Sequence, residues 1–131
     1  MDPKNLPICF FCMEYAVDND SHSYAGGLGI LAGDYLLEAA DLNIPVIAIG
    51  LHYGKDISKD FILLDQIEVP MQGENLKVIV WQRNFGKSVT LLLLESQGIT
   101  DTLYDSDFYK RMKQELLLGI GGVRILKKYK L

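Results

Sequence analysis

Tyr24-Ala25-Gly26-Gly27-Leu28-Gly29-Ile30-Leu31-Ala32-Gly33-Asp34 places four glycines in the opening of an apolar helix that runs to about Leu42. The first turn of a helix leaves about four backbone N–H groups without an acceptor and carries the positive end of the helix dipole. Glycine puts no Cβ in front of those donors, so a phosphate or a sugar hydroxyl can approach them closely. The stretch therefore predicts an anion site first and a core element second.

Outward from it, Leu28, Leu31, Ala32, Tyr35, Leu36, Ala39 and Leu42 recur at helical spacing, while Asp34, Glu38 and Asp41 form a polar stripe. This predicts an amphipathic helix packed along the apolar line. Asn43-Ile44-Pro45 stops it, and Val46 to Leu51 has the length and composition of a buried strand. Ile8 to Met13 reads as an earlier strand of the same kind. Strand, glycine loop, helix and strand in that order predict a βαβ unit of a parallel sheet, hence an α/β fold.

A chain of 131 residues with 49% hydrophobic and 23% charged residues suits one ordinary globular domain. Thirteen basic against 17 acidic residues give a net charge of -4, and only Lys127, Lys128 and Lys130 cluster, which argues against a nucleic-acid surface. No apolar run approaches the roughly 20 residues of a membrane span. The apolar stretch after Met1-Asp2-Pro3-Lys4 is too short for a signal peptide and is broken by Glu14, so the expectation is a cytoplasmic protein. Cys9 and Cys12 form C-x-x-C, but inside an apolar strand, where residues three apart point to opposite faces. With His22 and His52 isolated, the cysteines read as structural and no metal site is expected.

Beyond Leu51, runs at Phe61 to Val69, Leu76 to Gln82 and Val89 to Leu94 are separated by turn-forming stretches 71–75 and 84–87, and read as antiparallel strands. Val78, Val80 and Gln82 alternate with Ile79, Trp81 and Arg83, so Trp81 reads as packing, with sugar stacking as the lesser alternative. Asp105, Ser106 and Asp107 offer caps for a second helix with a stripe of Phe108, Met112, Leu116 and Ile120. Gly119, Gly121 and Gly122 near its end imply a break or a very close backbone approach.

Gly27-Leu28-Gly29-Ile30-Leu31-Ala32 matches the G-x-G-x-x-A dinucleotide fingerprint. Two features oppose that reading: about a dozen residues separate Met13 from Gly26, and the acidic ribose ligand expected about 20 residues on falls near Ile49 in an apolar strand. Phe11-Cys12-Met13-Glu14-Tyr15, the glycine stretch, Ala40-Asp41-Leu42 with Ile49-Gly50-Leu51-His52-Tyr53, Ile99 to Asp107, and Gln114 to Arg124 together resemble the α-glucan phosphorylases of the short bacterial and archaeal type, in register and in order. The stretch from Lys55 to Ser96 is the least similar.

The resemblance implies part of the N-terminal Rossmann-like domain of a two-domain, GT-B type glycosyltransferase, with an inserted antiparallel strand region. Residues 1–131 would be an incomplete N-terminal domain, with the second domain absent. The implied reaction moves a terminal glucosyl unit between an α-1,4-glucan and inorganic phosphate, giving glucose 1-phosphate. Pyridoxal phosphate is the implied cofactor, its lysine is not in this chain, and no catalytic residue is assignable. The backbone amides of Gly26, Gly27 and Leu28 would face substrate phosphate and the glucosyl unit. A homodimer is the family's usual assembly. His22-Ser23 replaces an apolar-proline pair, Thr102 stands where an arginine is usual, and the segment after Tyr53-Gly54 is short.

Two rivals remain. A glycogen or starch synthase shares the architecture but shows a lysine two residues before its paired glycines, where this chain has Tyr24. The other is a non-catalytic, truncated glucan-binding or dimerising half-domain. Exposed apolar surface, and with it self-association, is expected of such a chain.

Overall fold

A computed structural model describes residues 6–18, 23–54 and 56–131. His22 and the Met1-Asp2-Pro3-Lys4 stretch lie outside the described residues. The elements are β1 (Ile8–Phe11), α1 (Gly27–Asp41), β2 (Val46–Leu51), β3 (Ile62–Met71), β4 (Glu74–Phe85), β5 (Val89–Glu95), α2 (Phe108–Leu116), a π-helical turn (Leu117–Gly121) and α3 (Gly122–Lys128). One mixed sheet runs in the order β1-β2-β5-β4-β3.

The βαβ unit is present: β1 pairs parallel with β2, Ile8 opposite Val46 and Phe11 opposite Ile49. The three later strands occur as expected, but in the same sheet. β5 is antiparallel to β4 and at the same time parallel to β2, Val46 opposite Val89 and Leu51 opposite Leu94. The hairpin of β3 and β4 is closed by Gln72 and Gly73 at φ 52° and 80°, the doubly left-handed turn that matches the twist of paired strands. Pro70 is tolerated because β3 is an edge strand.

All six residues of β2 are buried, as a central parallel strand covered on both faces requires. Alternation along β2 and β5 sends Ile47, Ile49, Leu51, Leu92 and Leu94 to one core, with Leu117, Leu118 and Ile125 of the C-terminal helical segment. Val46, Ala48, Val89, Leu91 and Leu93 go to the other, with Ala32, Leu36 and Ala39 of α1.

The stripe expected on α1 holds at Ala32, Leu36 and Ala39 and is corrected at its other leucines. Gly29, Ala32, Gly33, Leu36 and Ala39 are buried, whereas Leu28, Leu31 and Leu42 are 49%, 68% and 60% exposed. The cause is a close crossing: the Ala16 N–H donates to the Gly29 carbonyl at 2.9 Å, and a Cβ on Gly33 would overlap the Ala16 carbonyl oxygen. Only small residues fit at that crossing, Gly29 and Gly33, and Leu36 is the one leucine of the helix that reaches the core, while Leu28, Leu31 and Leu42 turn outward. Tyr35 makes a side contact, its ring 5.0 Å from that of Phe10.

The stripe expected on α2 is corrected too. Phe108 is 71% exposed and Ile120 40%, while Gln114, Leu117, Gly121 and Ile125 are buried. Leu116 still packs against the core, but the π turn then inserts a residue into the helical period, so a stripe drawn at 3.6-residue spacing has rotated off the core by Ile120; Phe108, in the first turn, is exposed ahead of it. The helix does not break at its glycines. Cβ atoms at Gly121 and Gly122 would run into Leu94 and Phe11 respectively, and only Gly119 faces open space.

The glycines of the opening stretch thus divide into packed and open positions, which predicts opposite responses to a methyl group. Gly33→Ala, meeting rigid backbone, should destabilise by about 1–3 kcal/mol. Gly27→Ala, which meets nothing within 4 Å, should be neutral or stabilising by up to about 1 kcal/mol. Urea unfolding midpoints measure both, and equal effects at the two positions would contradict the close crossing.

Candidate functional site

β1, β2 and β5 run in one direction, and their C-terminal ends deliver Cys12 to Glu14, His52 to Gly54 and Ser96 to one edge of the sheet. The helix that returns from β1 begins at that same edge, so the glycine loop sits where ligands enter α/β sheets. Two tyrosines fasten the edge. The Tyr15 hydroxyl lies 2.9 Å from the Phe10 carbonyl and 3.1 Å from that of Ile49, and the Tyr53 hydroxyl donates to the Met13 carbonyl at 2.9 Å. Burial pushes both phenols well above their usual value.

Glu14 is the centre of the site. Its residue exposure is only 3%, yet both carboxylate oxygens are engaged. Oε1 accepts from the Ala25 N–H at 2.6 Å and the Gly26 N–H at 3.2 Å, and Oε2 accepts from the Tyr104 hydroxyl at 2.5 Å. Gly26 is the N-cap of α1 and offers no side-chain cap; a carboxylate from twelve residues upstream instead accepts the N-cap residue's own N–H and complements the dipole.

The sequence-predicted donors are all brought to this end of α1, in unequal states. The Gly26 amide is turned to Glu14. Gly27 and Leu28 occupy the first helical turn, where the helix supplies no acceptor, and both are exposed. A Cβ built on Gly26 or Gly27 has no atom within 4 Å, so the approach to the loop is open.

Tyr104 arrives from the opposite side on a braced segment. Gln114, fully buried, donates from Nε2 to the carbonyls of Ile99 at 2.8 Å and Thr102 at 2.9 Å. The Gly54 N–H donates to the Thr100 carbonyl at 3.1 Å. Tyr104 itself has φ 50°, a left-handed conformation that costs a non-glycine residue about 1 kcal/mol or more. The Arg111 guanidinium lies 5.2 Å from its ring centroid. Burial first, and the adjoining Glu14 carboxylate second, push the Tyr104 phenol up to about 12.

Glu14 and Tyr104 both stand inside recognisable stretches of sequence, but their pairing across 90 residues has no local signature. A single carboxylate closing an apolar strand was the available signal. Elsewhere the Trp81 Nε1–H donates to Glu95 Oε2 at 2.7 Å and the ring packs beside the α1 core, as a packing role requires. Cys9 is exposed and Cys12 buried, both free, and burial raises the Cys12 thiol. Among the described residues no group of three or more His, Cys, Asp or Glu could hold a metal ion, and no helix is long and apolar enough to cross a membrane.

No protein-family model matches the chain. It is 35% identical to a maltodextrin phosphorylase of Thermococcus litoralis over 92% of its own length and 19% of that protein's. It is 34% identical to a glycogen phosphorylase of Mycobacterium tuberculosis, over 93% of this chain and 18% of the relative, and 29% identical to one of Aquifex aeolicus, over 97% and 24%. The chain thus spans about a fifth of the length of these curated relatives. The first alignment covers 158 positions against 131 residues here, so that relative carries residues within the matched region that this chain lacks. Among solved structures, the catalytic domain of starch synthase IV from Arabidopsis thaliana bound to ADP and acarbose shares the fold, with a TM-score of 0.69 at 20% identity, over 95% of this chain and 26% of that one.

The raised phenol predicts an alkaline limit on stability. An unfolded tyrosine loses its proton near pH 10 and folded Tyr104 holds it to about 12, so the contribution is intact below pH 10 and disappears as pH rises through about 12. Tyr15 and Tyr53 act in the same direction. Urea midpoints should fall across that window and fall less steeply in Tyr104→Phe; an identical profile for the variant would deny Tyr104 its share.

Proposed function

Since the chain belongs to the sequence family of the glycogen and maltodextrin phosphorylases, we propose that it forms the glycine-loop wall of an α-glucan phosphorylase active site. The full enzyme would transfer the terminal glucosyl unit of an α-1,4-glucan to inorganic phosphate, giving glucose 1-phosphate. The observation that supports this is the open N-terminus of α1 at the C-terminal edge of the parallel strands, where a Cβ on Gly26 or Gly27 would meet no atom within 4 Å and Gly27 and Leu28 stand exposed in the first helical turn. Donors fixed before reaction stabilise developing charge without reorganising. Tyr24 in place of a lysine ahead of the paired glycines favours the phosphorylase over a sugar-nucleotide synthase.

We further propose that residues 1–131 are an incomplete N-terminal domain and that the facing wall and pyridoxal phosphate belong to a second domain. The described lysines are exposed or half-buried, and Lys110 and Lys128 pair with Asp101 and Asp65. None has the enclosed setting that a cofactor-holding lysine needs, so no step here runs through that cofactor. A cytoplasmic enzyme that assembles as a homodimer completes the proposal. The outward apolar residues Ile30, Leu31 and Leu37 of α1 and Ile62 and Leu63 of β3 support further covering surfaces.

Amide resonances of Gly27 and Leu28 should move on titration with inorganic phosphate, with weak, millimolar-range affinity, and Gly27→Val should remove the response while leaving the fold intact. No movement in the unaltered chain would defeat the site assignment. The 131-residue polypeptide alone should release no glucose 1-phosphate from maltodextrin and form no borohydride-trapped pyridoxal adduct; either product would show that one wall suffices.

A further inference from the structure

Three features of Tyr104 are unusual together. Its backbone is left-handed without being glycine, its hydroxyl meets a buried carboxylate rather than solvent, and the residues around it are held independently by Gln114 and by the cation over its ring. A residue kept in a costly conformation persists only where its surroundings over-determine it. Here the side chain leads to Glu14, and Glu14 leads to the amides of Ala25 and Gly26. Tyr104 touches neither amide and is more than seventy residues beyond them in sequence.

From this chain of contacts we infer that Tyr104 is a positioning residue for the glycine loop, acting through Glu14. The carboxylate has rotational freedom about its long side chain, and one oxygen must be fixed for the other to meet two adjacent N–H groups. The Tyr104 hydroxyl fixes Oε2, so Oε1 stays aimed at Ala25 and Gly26. With those two amides turned inward, the next two, Gly27 and Leu28, are the ones presented to a ligand. Segment 99–111 and the glycine loop therefore form one mechanical unit: displacement of the first is felt as a reorientation of the second. The relay uses a charge-assisted hydrogen bond in a water-poor setting, where such bonds are strongest.

The inference takes from the proposed function only that the glycine loop faces the ligand, and its test is chosen to work without one. In Tyr104→Phe the ring, its contact with Arg111 and the backbone requirements are retained while the hydroxyl is lost. Amide hydrogen exchange measured residue by residue on the 131-residue chain should quicken about tenfold at Ala25 and Gly26, with β2 and β5 unchanged. Glu14→Gln, which keeps an acceptor for the two amides but loses the charge, should quicken the same pair. Unchanged exchange at Ala25 and Gly26 in Tyr104→Phe overturns the inference, and so does a uniform rise across the sheet, which would mark Tyr104 as a general stabiliser. A parallel phosphate titration should show a several-fold weaker response at Gly27 and Leu28 in Tyr104→Phe. If the unaltered chain shows no response to phosphate, the proposed function fails while the exchange data still decide the relay.

Discussion

A buried carboxylate must be compensated or it unfolds its surroundings, and Glu14 is compensated from two directions at once. Its demand for partners determines where the glycine loop lies, because the loop supplies two of the three hydrogen bonds. The same demand draws Tyr104 in from the far half of the chain. In return, Glu14 neutralises part of the positive end of α1, which has a glycine where a capping side chain would stand. The sheet edge, the helix start and the segment before α2 are organised around this one group.

The glycines show how the same residue type serves two ends within one helix. Gly29 and Gly33 let α1 approach the chain that leaves β1, where any Cβ would collide with Tyr24 and with the Ala16 carbonyl. Gly26 and Gly27 meet nothing, and their absence of side chain is spent on solvent-facing access. The close approach is what brings Glu14 within reach of the loop, so the packed pair makes the open pair usable. On the opposite face of the sheet Gly121 and Gly122 repeat the packing use, letting the end of the π turn lie on Leu94 and the start of α3 on Phe11.

Much of the fold was legible because its signals are local. Val46 to Leu51 is a six-residue apolar run and became the fully buried β2, and Asp107 caps α2 through its Oδ1. The two helix stripes misled for a physical reason: hydrophobic periodicity reports that a face is apolar, not that it is covered. On α1 the covered face is glycine and alanine apart from Leu36, residues that weigh little in such a pattern, while Leu28, Leu31 and Leu42 weigh heavily and stand outside. The π turn is likewise invisible to a template of fixed period. The candidate site was half legible: the loop announced itself by composition, but the Glu14 and Tyr104 pair exists only once β1 and segment 99–111 are brought to the same edge.

That pair also decides what the loop can bind unaided. A helix N-terminus presents roughly half a positive charge, and Glu14 places a full negative one against it, so the local balance is negative. At an effective dielectric of about 20, a second unit negative charge about 5 Å away would be repelled by about 3 kcal/mol. If the Gly27 and Leu28 amides are donors as proposed, at about 1.5–3 kcal/mol each for a charged acceptor, they would do little more than offset that repulsion. A neutral sugar hydroxyl meets no such penalty. Under the proposed function, the glycine loop by itself would orient a neutral sugar hydroxyl more readily than it would hold phosphate, and firm phosphate binding would call for cations supplied from elsewhere.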